Sequence, residues 1–505
     1  MFVPEARVAF AALILTLAAV VACSGPSRLA ADLVITRAKV WTGDAAQPTA
    51  TAVAVIGDRI VDVGAADEIE RWRGTNTTVL DAEGRRLVPG FNDAHVRLVD
   101  GGTQLDEVDL TDARTPAEFA RRINERAKAK PGEWILGGRW NDRHWTPATL
   151  PTRALIDDVT NSAPVFVVRD DGRMGLANAA ALGRAGITER TADPPGGAIV
   201  RDGNGFPTGL LQGAAMDAVR RVIPKMTPEQ RLHAVKRALE HAASLGVTSV
   251  QDMNATYEDI SAYADLKNRG ELTVRVYAAL SEGGWYDQAK LGVRRSFGST
   301  WLRIGAVQGE GEGIVDVSGM RTRLMAADHA GLQVCISAIG DAGTSRVLDL
   351  FDDIVRANGG RDRRFRIERA GRIAPNDLDR VASLHVIASM QPSPVTGTGG
   401  LRALIDKGVR LALGSGWPAA PLNPMITLHA ATTRQLTASE ALAAQTIGST
   451  FAEFQEGEKG TIARGKLADM VILSDDILSI PPAQIKDVRV LTTIVGGNVV
   501  HQRKP

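Results

Sequence analysis

Eight short apolar runs recur between residues 87 and 414, at 87–91, 246–251, 272–279, 302–307, 332–336, 365–368, 385–390 and 409–414. Helical stretches alternate with them, the pattern of a parallel sheet with crossover helices. Eight is the count that a closed (β/α)8, TIM-like barrel requires, which places the chain in the α/β class. The second run starts about 150 residues after the first, far too late for a βα loop. The interval at about 110–225 is therefore read as an insertion with structure of its own after barrel strand 1. Taking it out of 88–455 leaves roughly 250 residues, the usual size of such a barrel.

The two ends of the chain are strand-like. Runs at 31–35 and 52–56, then the turn Gly57-Asp58-Arg59 before 60–64, are answered by 468–473 and by 488–500 with Gly497-Asn498 inside it. We read 32–87 plus 456–505 as one composite β-sandwich flanking the barrel. The first residues differ in character: Arg7 precedes the apolar stretch 8–21, which closes on Ala22-Cys23-Ser24. This resembles a bacterial lipoprotein signal over 1–23, with Cys23 acylated after cleavage and 24–31 as a tether. The expected location is the bacterial envelope, on its periplasmic side, with the lipid as the only membrane contact. An ordinary secretory peptide, giving a secreted protein, or a short anchor are the alternatives. Removal of Cys23 leaves Cys335 alone, so no intrachain disulfide is expected; its apolar setting suggests a core thiol rather than a nucleophile. The 505 residues carry a net charge of +1 and 44% hydrophobic residues, with no Lys/Arg block to suggest nucleic acid.

The chemistry concentrates where the strands end. Residues 87–97 read LVPGFNDAHVR. Farther on stand Gly101-Gly102, Pro207-Thr208-Gly209, Gly246-Val247-Thr248-Ser249-Val250, Ala338-Ile339-Gly340-Asp341, Arg366-Ile367-Glu368, Met390-Gln391-Pro392 and Gly414-Ser415 with Trp417-Pro418. Residues 460–469 match GxIxxGKxAD. Together these closely resemble the amidohydrolase superfamily, in particular its amidohydrolase 3 (YtcJ-like) group, over 32–502. The resemblance implies a barrel that binds a divalent metal at the C-terminal ends of its strands and hydrolyses non-peptide carbon–nitrogen bonds.

The ligand positions depart from that pattern one after another. The family's His-x-His after strand one is His95-Val96-Arg97; a guanidinium has no lone pair to give a metal. Its bridging lysine after strand four is Gln308, its strand-five histidine Ser337, its strand-six histidine Arg369 and its strand-eight aspartate Gly416. A pocket histidine of the insertion is Arg173. Zinc needs three or four soft or anionic donors, and of the usual set His95 alone stays. Metal-dependent catalysis is expected to be lost, with no cofactor replacing it.

Arg97 and Arg369 are expected to point into the former cation space, near Asp93, Glu310, Glu312 and Glu368, with Gln308, Ser337, Asp341, Arg173 and Gly416 completing the lining. They would form either a fork for an anionic ligand or internal pairs with carboxylates orphaned by metal loss. His95 would be a general base oriented by Glu368 or Asp93, or a relic in a polar core. The weak acidic loop Glu310-Gly311-Glu312 and the glycine-rich 396–400 lack the context of a metal or phosphate motif, and no serine sits in a nucleophile elbow. Three readings follow: a catalytically inactive or repurposed small-molecule-binding lipoprotein, a hydrolase of small amides using a metal-free site around His95, and a structural partner of an active relative. Self-association as a homo-oligomer stays open.

Overall fold

A computed structural model describes residues 29–503, apart from 161, 312–316, 372, 393–399 and 434–435. Cys23, Glu312, Ser393 and most of the glycine-rich 396–400 lie outside the described residues. Eight parallel strands form the centre: β1 (Phe91–Val96), β2 (Val247–Ala255), β3 (Arg275–Ser281), β4 (Leu302–Glu310), β5 (Gln333–Ser337), β6 (Arg366–Glu368), β7 (Ile387–Met390) and β8 (Leu411–Leu413). Each pairs in parallel with the next. The seam between β8 and β1 closes just beyond β8, through a bridge of Val96 to Trp417. There the Gly416 N–H donates to the His95 carbonyl at 2.9 Å and the Arg97 N–H to the Trp417 carbonyl at 2.8 Å.

One boundary differs from the sequence reading. Residues 87–91 were expected to be the first barrel strand, but Arg86–Pro89 pairs antiparallel with Met470–Leu473 and parallel with Lys39–Trp41 in a flanking six-stranded sheet. The chain passes into the barrel at Gly90, where a Cβ would stand 2.1 Å from the Thr248 hydroxyl oxygen. Apolarity marked both segments, and only pairing separates them. A four-stranded sheet built from Leu33–Thr36, Ala52–Ile56, Arg59–Gly64 and Thr78–Asp81 packs on the six-stranded one around Ile35, Val53, Leu87, Met470 and Ile494. Asp469 ties this sandwich to the barrel base: its carboxylate takes both arms of Arg275 at 2.7 and 2.9 Å, while its carbonyl accepts from Gly90.

Between β1 and β2 another six-stranded sheet runs from Val108–Asp109 to Pro207–Gly213 over its own core of Phe119, Trp140 and Trp145. Helices α1 (Leu98–Leu105) and α2 (Pro228–Ser244) flank this insertion and pack side by side on the barrel. The start of α2 is written locally: Thr227 and Gln230 form a capping box and Pro228 occupies the first turn. Its buried face, Ala234, Val235, Ala238, Leu239, Ala242 and Ala243, follows the helical period. The approach is so close that a Cβ on Gly102 would lie 1.9 Å from the Ala234 carbonyl oxygen. None of the helices among the described residues is long and apolar enough to cross a membrane.

Candidate functional site at the barrel mouth

The C-terminal ends of barrel strands are where side chains from different strands meet. At the end of β1, His95 Nδ1 lies 2.7 Å from Glu368 Oε2 of β6, the two side chains being 4% and 0% exposed. That oxygen also accepts the Ser389 hydroxyl at 2.6 Å. Arg366, two residues back on the same strand and so on the same face, sets its Nε 2.7 Å from Glu368 Oε1. The contact is an ion pair off the hydrogen-bond line. Burial pushes the Glu368 carboxyl up, but Arg366, then His95 and Ser389, outweigh it and hold it down at about 2. An ionised carboxylate only accepts, so Nδ1 of His95 carries a proton and donates to it. Nε2 has no partner among the described residues.

The network continues down the barrel. Arg366 donates to Gln251 and, at 2.7 Å, to the Ala94 carbonyl. Gln251 reaches Asn92 at 3.3 Å, Asn92 donates to Glu453 at 2.6 Å, and Lys459 pairs with Glu453 at 2.8 Å. Two buried cations and two buried anions thus balance along one bonded column, as buried charge requires.

Asp93 is also buried and accepts from the backbone N–H groups of His95 at 3.1 Å and Ser415 at 3.0 Å. Burial is the larger effect and raises its carboxyl to about 6. A Cβ on Gly414 would meet His95 N at 2.6 Å and Asp93 Oδ1 at 2.8 Å, so this seam closes only on glycine.

The residues present do not fit a divalent cation. Gln308 donates through Nε2 to Ser337 Oγ at 3.1 Å and Glu310 Oε1 at 3.2 Å. The carboxylate fixes that orientation, leaving a buried Oε1 without a partner among the described residues. Gly416 adopts φ +74° and presents no side chain. Arg97 and Arg369 offer no lone pair at all. Among the described residues no three His, Cys, Asp or Glu side chains are grouped to hold a metal ion.

The arginines do not stand as the sequence reading placed them. Glu368 takes its positive charge from Arg366, the first residue of the Arg366-Ile367-Glu368 motif. Arg97 precedes α1 and reaches Asp100 at 3.7 Å, a surface pair with its side chain 43% exposed. Arg369 has φ +58° and no ion pair among the described residues. Arg97 lines a cavity whose lining does not include Arg369. Arg173 is exposed in a turn of the insertion and lines a separate depression with Gln212 and Arg220. Asp341 opens the helix after β5, α3 (Asp341–Asn358). Cys335 faces the barrel interior with Met253, Tyr277, Ala279 and Ala306, and burial pushes its thiol up to about 12.

The cavity beside Arg97 measures about 330 Å³ and lies where β1 and β2 end. Its lining pairs Arg97 with Asp100 and Arg231 with Asp259. Asp252 adds a fifth charged group that the sequence reading missed. Its carboxylate accepts from the Leu98 N–H at 2.9 Å and the Tyr263 hydroxyl at 2.6 Å, and burial raises it to about 7. An aspartate within an apolar strand, next to Gln251, was the available signal.

Comparison with known proteins places this geometry. The model of the Amidohydrolase family matches residues 78–501. "Protein LONG AFTER FAR-RED 3" of Arabidopsis thaliana is 33% identical over 94% of this chain and 92% of its own length. An "N-substituted formamide deformylase" of Arthrobacter pascens is 26% identical over 94% of this chain and 98% of its own. Among solved structures, an "uncharacterized metal-dependent hydrolase" from Pyrococcus furiosus has a TM-score of 0.73 at 22% identity and covers 88% of this chain and 100% of that one.

Proposed function

We propose that this chain, which belongs to the amidohydrolase family, is a repurposed member that binds a small molecule at the barrel mouth without metal-dependent hydrolysis. One observation carries the reading. Arg97, Gln308, Ser337, Arg369 and Gly416 stand where the resemblance to the family implies metal ligands, and His95 spends Nδ1 on Glu368. Water activation by zinc depends on three protein donors and an open fourth position, and this donor set cannot supply them. The 330 Å³ cavity beside Arg97 and Asp252 is the candidate ligand site, of a size that suits a small molecule. We further propose that the protein sits on the periplasmic side of the bacterial envelope, held by a lipid on Cys23.

The test is elemental analysis of purified protein, combined with turnover of an N-substituted formamide before and after chelation. Near-stoichiometric zinc, or turnover that chelation abolishes, would overturn the proposal. Incorporation of labelled palmitate that Cys23→Ser removes is expected for the anchor; labelling that persists in the variant speaks against it.

A second reading draws on the His95–Glu368 contact. An imidazole with its Nδ1 proton fixed by a carboxylate and Nε2 unpartnered has the geometry of a general base. On this reading slow, chelator-resistant hydrolysis of small amides disappears in His95→Gln. Turnover unchanged by that substitution would remove the reading.

A further inference from the structure

The opposite end of the barrel carries a concentration of positive charge that the mouth does not explain. At the N-terminal ends of β6, β7 and β8 two adjoining cavities of about 620 and 390 Å³ share Arg361, Asp362 and Arg363. Arg294, Arg295, Arg361, Arg363, Arg364 and Arg410 line the pair, against the single lining carboxylate Asp362. Their counter-charges are few. Asp328 serves both Arg361, at 2.7 Å, and Arg363, at 2.9 Å. Arg364 takes Glu456 at 2.6 Å and Asp362 at 3.2 Å. Arg294, Arg295 and Arg410 have no ion pair among the described residues.

Arg295 and Arg410 are held in place by aromatic rings instead. Arg410 lies 4.0 Å over the Phe451 ring, Arg364 is 3.6 Å from Phe451 and 4.3 Å from Phe454, and Arg295 is 4.4 Å over Phe454. Cations and rings alternate in one column. A guanidinium resting on a ring face spends none of its five N–H donors there, so the outer arginines stay oriented and available. The larger cavity also has an apolar floor that includes Phe365, Val386 and Val409.

Stability does not call for this arrangement. Like charges crowded together destabilise a compact state, and the N-terminal face of a barrel ordinarily serves stability rather than binding. We propose that this face is a second binding site, for an organic phosphate. Its phosphate sits in the smaller cavity against Arg294, Arg295 and Arg361, and its organic body lies on the apolar floor of the larger one. Guanidinium forks match phosphate oxygens two at a time, and the charge excess favours a group carrying more than one negative charge. The volumes fall in the range of small-molecule sites. The site shares no residue with the mouth, so it stands whether or not the mouth reading does.

Titration calorimetry of the full protein with inorganic pyrophosphate and with adenosine diphosphate tests it. Both probes are expected to bind at low salt, the nucleotide more tightly, and both to weaken as ionic strength rises. The double variant R294A/R295A, altering two exposed residues, should weaken both probes by roughly tenfold or more. Arg190→Ala, 91% exposed on the insertion, should leave binding intact. Thermal melts confirm that each variant is folded. No binding of either probe, or binding indifferent to R294A/R295A, overturns the proposal. So does sedimentation with phosphatidylglycerol vesicles without pyrophosphate binding, which would assign the face to a membrane surface.

Discussion

Replacing Glu368 by glutamine keeps the shape of the side chain and removes its charge. Arg366, fully buried and 2.7 Å away, then loses its counter-ion while remaining out of water. Removing one partner of a buried pair costs about 3–5 kcal/mol, because the other charge stays desolvated. A second route gives a similar size. Glu368 falls from 4.5 to about 2 on folding, which corresponds to roughly 3 kcal/mol at 1.36 kcal/mol per unit. Because the group is wholly buried, solvent screening does not reduce this figure. Guanidinium unfolding followed by circular dichroism and tryptophan fluorescence should therefore show E368Q destabilised by about 3–5 kcal/mol. The double variant R366M/E368L, which removes both charges for apolar groups of similar bulk, should recover most of the loss. An E368Q transition within about 1 kcal/mol of wild type would show that Glu368 is not the counter-charge of Arg366. So would a double variant as unstable as the single one.

Three other outcomes are expected. Asp252 and Asp93 rise from 3.8 to about 7 and about 6 on folding, so the folded chain keeps protons that the unfolded chain has released. Stability contributed by these two groups grows as pH falls from 7 towards 4, whereas that of Glu368 is lost as pH falls from 4.5 towards 2. A melting temperature that peaks near pH 4–5, with the upper slope flattened in Asp252→Asn, is the signature; a profile unchanged by that substitution contradicts the assignment. Gly102→Ala must push α1 away from the Ala234 carbonyl, 1.9 Å from the new Cβ. A loss of about 1–3 kcal/mol is expected, and a melt equal to wild type would refute the contact. The Cys335 thiol, buried and pushed up to about 12, should react with Ellman's reagent only as the protein unfolds; fast labelling of folded protein would place it elsewhere.

Much of the architecture was legible because apolar periodicity and turn residues are local signals. Seven of the eight runs, the long interval after the first and the strand-like ends survive as the elements expected, with the flanking sandwich assembled from both termini. The exception at 87–91 is instructive: the run straddles two consecutive strands, and which sheet each half joins is decided only by its pairing partners. The site was legible in a different sense. Each departure from the family pattern could be read by chemistry alone, since arginine has no lone pair to give, glycine has no side chain, and glutamine offers only a neutral amide oxygen in place of a carbamylated lysine. Where those side chains point could not.

Arg97 and Arg369 show the limit. Both sit at strand ends in sequence, yet one turns to a surface aspartate and the other adopts a left-handed backbone, while Arg366 supplies the buried charge. The basic face at the far end escaped for the same reason. Its six arginines come from three segments around 294, 361 and 410, and no single stretch announces them. Sequence by itself determined the fold family and the loss of the metal donors, because both rest on residue type and local order. Only the tertiary structure decided which charges neutralise one another, because pairing depends on where each side chain points, as Arg366 beside Glu368 and Arg97 beside Asp100 show.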